Sequence, residues 1–165
     1  MQRDSTKMND KIVMGLGKGI KDGSFLKSNC FIELFGSDGK RKDFREVHNT
    51  VTVAGLAGVA DQVLASPTLA KVGWMELGTG SPSGTKLGAY ISGSRNALTS
   101  KTRSAGVITL VGDWAAGDGT GAITEAGTFD VVTEDTVNMW MSATFAVINK
   151  GASDTLTITW TLTLS

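Results

Sequence analysis

One histidine, His48, and one cysteine, Cys30, are all that this chain of 165 residues offers in imidazole and thiol chemistry. A histidine can serve a serine as general base, but no Gly-x-Ser-x-Gly turn is present to raise such a serine above a sheet. Without a second histidine or cysteine there is no pair with zinc-ligand spacing. Gly15-Leu-Gly-Lys-Gly19 has the look of a phosphate loop. Its Lys18 is followed by Gly19 rather than by Ser or Thr, and the four-residue gap that defines the loop is missing. No dinucleotide fingerprint in a βαβ setting replaces it. Asp113, Asp118 and Glu125 flank a glycine-rich stretch and could gather round a hard cation such as Ca²⁺, though not with EF-hand spacing. Two of them could do glycosidase work, but nothing singles out a pair. These residues lead to an expectation of no catalytic, cofactor-binding or metal-binding residues, and of a protein that is not an enzyme.

The tryptophans carry recognition chemistry if they reach solvent, because an indole face stacks on a sugar or anchors a protein interface. Trp160 falls in a core register. Trp140 lies on the strand face opposite Met139 and Met141. Trp114 sits in a glycine-rich loop over 112–121 and is the expected partner-binding aromatic.

The elements that would position these residues are mostly strands. Residues 155–164 alternate Leu156, Ile158, Trp160, Leu162 and Leu164 with five threonines, a period of two without a miss. The threonine face, polar and β-forming, is expected to face solvent. In residues 138–148 the odd positions, Met139 to Val147, share one face. Strands are also expected over 31–35, 44–47, 72–77, 107–111 and 123–132, with Asp38-Gly39 as a hairpin turn and Gly127 as a bulge. Residues 85–105 read as a polar loop with one edge strand. A single helix is expected over 54–65, capped by Thr52 and stopped before Pro67, with Leu56, Val59, Ala60, Val63 and Leu64 as its buried stripe. About eight short strands, one helix and many glycine turns predict an all-β fold: an antiparallel β-sandwich, jelly-roll-like, over residues 30–165.

Residues 1–29 follow neither period and hold Lys11, Lys18, Lys21 and Lys27 between glycines. They are expected to form an extended arm, its lysines contacting a partner. Ten of the sixteen basic residues lie in 1–53, whereas 106–165 hold only Lys150 against seven acids. Formal net charge is zero, which argues against a coat for nucleic acid. The single cysteine, expected in the core, suits assembly in a reducing cytosol. No apolar run is long enough to span a membrane, and no secretory leader is expected at the polar N-terminus.

Several stretches, read in order, resemble a family of small tailed-bacteriophage virion proteins. They are Asn49-Thr-Val-Thr-Val-Ala-Gly55, Leu77-Gly-Thr-Gly80, Arg95, Ile123-Thr-Glu-Ala-Gly-Thr-Phe129, Phe145-Ala-Val-Ile-Asn-Lys-Gly151 and Asp154-Thr-Leu-Thr-Ile-Thr-Trp160. The resemblance covers roughly residues 30–165. An acid that such proteins often carry after the leucine following the Gly-Thr-Gly loop is missing here, where Leu87 is followed by Gly88-Ala-Tyr90. The resemblance implies a structural protein of the virion, assembled in the host cytoplasm. It would be a capsid decoration or cement protein contacting the major capsid protein or other virion proteins, as a homo-oligomer, with no nucleic-acid or membrane partner. Two alternatives stand beside it: a tail, fibre-base or head-fibre component, and a carbohydrate-binding module using Trp114 and the 78–84 loop.

Overall fold

The computed structural model describes residues 26–164. Ten strands and one helix follow in the order β1 (Leu26–Phe35), β2 (Arg41–His48), β3 (Thr50–Val51), α1 (Val53–Asp61), β4 (Trp74–Gly78), β5 (Asn96–Ala97), β6 (Ser100–Ser104), β7 (Val107–Trp114), β8 (Gly121–Phe129), β9 (Met139–Lys150) and β10 (Thr155–Leu164). They form two antiparallel five-stranded sheets, ordered β2-β1-β10-β7-β6 and β3-β9-β8-β4-β5. The inner faces pack together as a sandwich, the fold class that the alternating pattern predicts.

β10 explains the first sheet. Its Leu156, Ile158, Trp160 and Leu162 are buried against Cys30, Ile32 and Leu34 of β1 and Leu110 of β7. Being central, it is paired on both sides, with Leu26↔Leu164 through Phe35↔Thr155 on one and Leu156↔Trp114 through Thr163↔Val107 on the other. Its threonine face is half-buried beyond Thr155 rather than open, and Thr157 donates its hydroxyl to Asp113 Oδ1 at 2.6 Å. Burial pushes the Cys30 thiol far above its ordinary pKa, as suits a small core residue.

The first strand begins earlier than the periodicity suggests. Leu26 to Asn29 pair with Leu164 to Thr161, and Ser28 donates to the Thr161 carbonyl at 2.8 Å. Four residues assigned to the arm therefore belong to the sandwich. The rest of the expected arm lies outside the described residues.

Two other expectations fail for physical reasons. In β9 the inward face is Met139, Met141, Ala143 and the half-buried Phe145, then switches: Ile148 is buried and Val147 is exposed. The register with β8 runs from Glu125↔Thr144 to Ile123↔Ile148, so β9 carries two extra residues there. That irregularity breaks the period. Gly127 is not part of it and pairs regularly with Ser142. Its missing Cβ makes room for Met139 Sδ and the Phe129 ring.

The helix is shorter than expected and turned. Thr52 caps it, accepting from Gly55 N at 3.0 Å, as the sequence predicts. Its buried residues, however, are Gly55 and Gly58, which lie on Trp140. Leu56, Val63 and Leu64 of the expected buried stripe are exposed. A helix presenting two glycines can approach a strand more closely than one presenting leucines, and here the indole of Trp140 fills the space.

The polar stretch 85–105 holds two strands, not one. β5 closes one edge of the second sheet and β6 one edge of the first, with Leu98 and Thr99 carrying the chain between them.

Candidate assembly surface

Trp114 and the three acids Asp113, Asp118 and Glu125 are bonded within the fold. Trp114 is not in a loop. It ends β7 facing inward, has no exposed surface, and donates its indole N–H to the Ser94 carbonyl at 2.7 Å. Gly119, at positive φ, lies against its ring: a Cβ there would come within 3.0 Å of Trp114 Cδ1. Trp114 is thus a core residue rather than a partner-binding one, and the carbohydrate reading loses its aromatic platform. Nearby, Lys150 is buried and donates to the Ala115 carbonyl at 2.8 Å, and burial lowers its pKa.

Asp113, Asp118 and Glu125 do not gather. Asp113 accepts from Thr99 and Thr157, both at 2.6 Å, and Asp118 accepts from Asn96. Glu125 is fully buried elsewhere, under the loop that follows β4. Its Oε1 accepts from Gly80 N and Ala89 N, both at 2.9 Å, and its Oε2 from Gly88 N at 3.0 Å. One carboxylate thus satisfies three backbone amides and folds the 78–90 loop back on the sheet. Glycines are needed around it: a Cβ at Gly80 would come within 2.8 Å of Ala89 N, and one at Gly78 within 2.5 Å of Glu125 Oε1. Among the described residues no group of three or more His, Cys, Asp and Glu side chains could hold a metal ion.

His48 is exposed at the end of β2, with Nδ1 3.1 Å from Asn29 Oδ1. It borders a polar cleft of about 360 Å³ that includes Thr50, Ser81, Ser142 and Thr144. Lys27 is exposed on β1. Lys11, Lys18, Lys21 and the Gly15–Gly19 motif lie outside the described residues.

One buried pair escaped sequence reasoning. Glu76 of β4 and Arg95 meet at 2.8 Å with side chains 1% exposed. Arg95 also lies 3.6 Å from the centre of the Phe129 ring and donates to the Val131 carbonyl at 2.9 Å. This cation ties β4, β8 and the 130–138 connection together. Burial raises the Glu76 pKa, and the Arg95 hydrogen bond opposes that rise. The signal was a glutamate inside the apolar run Trp74-Met-Glu-Leu77, which demands a buried cation.

Five of the ten exposed large apolar side chains among the described residues lie in one stretch, while Phe44, Tyr90, Val132, Val137 and Val147 are exposed elsewhere. In α1 and the segment after it, Val53 is 85% exposed, Val63 84%, Leu64 59% and Leu56 51%. Leu69, 43% exposed, is held to the helix end, its N–H donating to Asp61 Oδ2 at 2.9 Å and its carbonyl accepting from Gln62 at 3.3 Å. Beside this surface lies an apolar groove of about 410 Å³ between α1 and the ends of β7 and β10, walled by Val59, Val63, Ile108, Trp140, Leu162 and Leu164. Exposed apolar surface of this kind next to an apolar groove has the character of a contact surface. No helix among the described residues is long and apolar enough to cross a membrane. Comparison of the chain with protein-family models, with curated proteins and with solved structures finds no match.

Proposed function

We propose that this chain is a structural protein of a tailed-phage particle, a capsid decoration protein that adds buried contact area where capsid subunits meet. One observation carries the reading: the exposed apolar side chains of α1 and its following segment, Val53, Leu56, Val63, Leu64 and Leu69, on a domain whose Asp113, Asp118, Glu125 and Trp114 are bonded to internal partners. Burying such side chains against a neighbour stabilises by about 25 cal/mol per Å² of apolar surface. A standard interface of roughly 1,600 Å² is within reach of a domain this size. Many copies on one shell add avidity. The resemblance of the strand and loop motifs to small virion proteins points the same way. Copies associate through this apolar surface rather than through sheet edges, which are charged or two residues long. A tail or fibre-base position uses the same contact logic, and copy number per particle separates the two.

The test is particle occupancy. Leu56→Asp and Val63→Asp change exposed positions and leave the sandwich folded by circular dichroism. Particles assembled with either variant should retain far fewer copies than particles with the unsubstituted chain. Full occupancy with both variants, or absence of the chain from purified particles, would overturn the reading.

A further inference from the structure

The apolar groove beside α1 has an occupant of matching chemistry close at hand. The chain enters β1 at Leu26, which pairs with Leu164, and Leu164 forms one wall of the groove. Paired strands lie about 4.8 Å apart, so the covalent chain passes within a strand's width of the groove's rim. Upstream, residues 12–16 read Ile-Val-Met-Gly-Leu, a compact apolar cluster. Residues 17–25, Gly-Lys-Gly-Ile-Lys-Asp-Gly-Ser-Phe, separate it from β1 and hold three glycines. Such a linker spans up to about 30 Å when extended, enough to cross the end of β10 and turn into the groove. Its shortness also gives the apolar cluster a high effective concentration at its own groove.

The groove fits this cluster in polarity. Its walls are Val59, Val63, Ile108, Trp140, Leu162 and Leu164. The two lysines at its border, Lys71 and Lys101, can lay their methylene stems along an apolar guest while their ammonium groups stay in water. We propose that the groove is the docking site for residues 12–16 of the same chain. The segment then covers the apolar walls of the groove beside α1. The inference concerns the free protein and does not depend on the particle.

The test uses the full chain and a variant with Ile12→Asp, Val13→Asp and Leu16→Asp, which leaves every described residue unchanged. An apolar dye, 1-anilinonaphthalene-8-sulfonate, reports an open groove, and hydrogen exchange reports the amides of α1 and of the start of β7. The variant should bind several-fold more dye and exchange those amides at least ~5-fold faster, with the β1/β10 amides unaffected. In a second measurement, a spin label on Met14→Cys should broaden the Trp140 indole resonance at all protein concentrations. Cys30, being buried, stays unlabelled. Equal dye binding and equal exchange in the two chains would overturn the proposal. So would broadening that grows with protein concentration, because the segment would then sit in a neighbouring copy.

Discussion

Glu125 shows how much structure one side chain can hold. Its carboxylate accepts from the amides of Gly80, Gly88 and Ala89, all in the loop that follows β4. Removing it leaves these amides without their acceptor under the loop, at a cost of about 1–3 kcal/mol for each group that stays buried. Glu125→Ala should therefore lower stability by ~2–4 kcal/mol in urea unfolding and speed amide exchange at Gly80, Gly88 and Ala89 first. Unchanged protection at those three amides would show that the loop holds itself. Asp154 offers a pH test of the same kind. The hydrogen bond from Lys42 Nζ at 2.8 Å, then that from Gly151 N at 2.9 Å, holds its pKa below the ordinary carboxylate value. The folded pKa is depressed, so the stabilisation is present above the unfolded value of about 3.9 and is lost as pH falls through the folded pKa. Asp154→Asn should thus be less stable than the unsubstituted chain at neutral pH, with the gap closing on acidification. A gap that stays constant down to pH 2 in thermal melts would contradict the assignment.

At the scale of elements, α1 inverts a common rule. Alanine normally favours a helix over glycine by about 1 kcal/mol. At Gly58 the added methyl would strike the Trp140 ring, and at Gly55 it would strike the Trp140 carbonyl. Gly58→Ala and Gly55→Ala should therefore destabilise, by about 1–3 kcal/mol in denaturant unfolding, despite the better propensity. A gain in stability would mean that α1 does not rest on β9. The β6–β7 turn makes the opposite case. Ala105 sits at φ +48°, where a Cβ costs roughly 1 kcal/mol, so Ala105→Gly should leave stability unchanged or raise it slightly.

These two elements also mark what the sequence could tell. β10 was legible because one face is apolar at every second position and nothing interrupts it. β9 was legible only as far as Phe145, because a two-residue insertion in the ladder has no signature in hydrophobicity. The leucines and valines of α1 suggest the wrong face, because the contact that orients the helix is made by two glycines with a tryptophan far along the chain. Trp114 and the Glu76–Arg95 pair failed for the same reason. Burial is decided by which strands become neighbours, and Arg95 in a polar stretch has no local sign that its counter-ion is Glu76. Of the exposed apolar residues in and after α1, the pattern picks out Leu56, Val63 and Leu64, but as core, and gives no sign of Val53 or Leu69.

For the whole molecule, the question is what keeps two open sheets from pairing edge to edge with other copies. β3 and β5, at the edges of one sheet, are two residues long. In the other sheet β2 carries Arg41, Lys42, Asp43, Arg45 and Glu46, and β6 carries Lys101 and Arg103. Short and charged edges resist addition of a further strand. β6 is the sharpest instance. Two copies pairing antiparallel about Thr102 would set Lys101 opposite the other copy's Arg103, and like charges directly opposed repel. Both side chains are exposed, and Lys101→Thr with Arg103→Thr would convert the edge into Ser-Thr-Thr-Thr-Ser, uncharged and strongly β-forming. The doubly substituted chain should self-associate in sedimentation velocity at concentrations where the unsubstituted chain does not. High salt should narrow the difference by screening the repulsion in the latter. If the double variant sediments like the unsubstituted chain across that range, charge is not what guards this edge, and the geometry of the strand itself must do so.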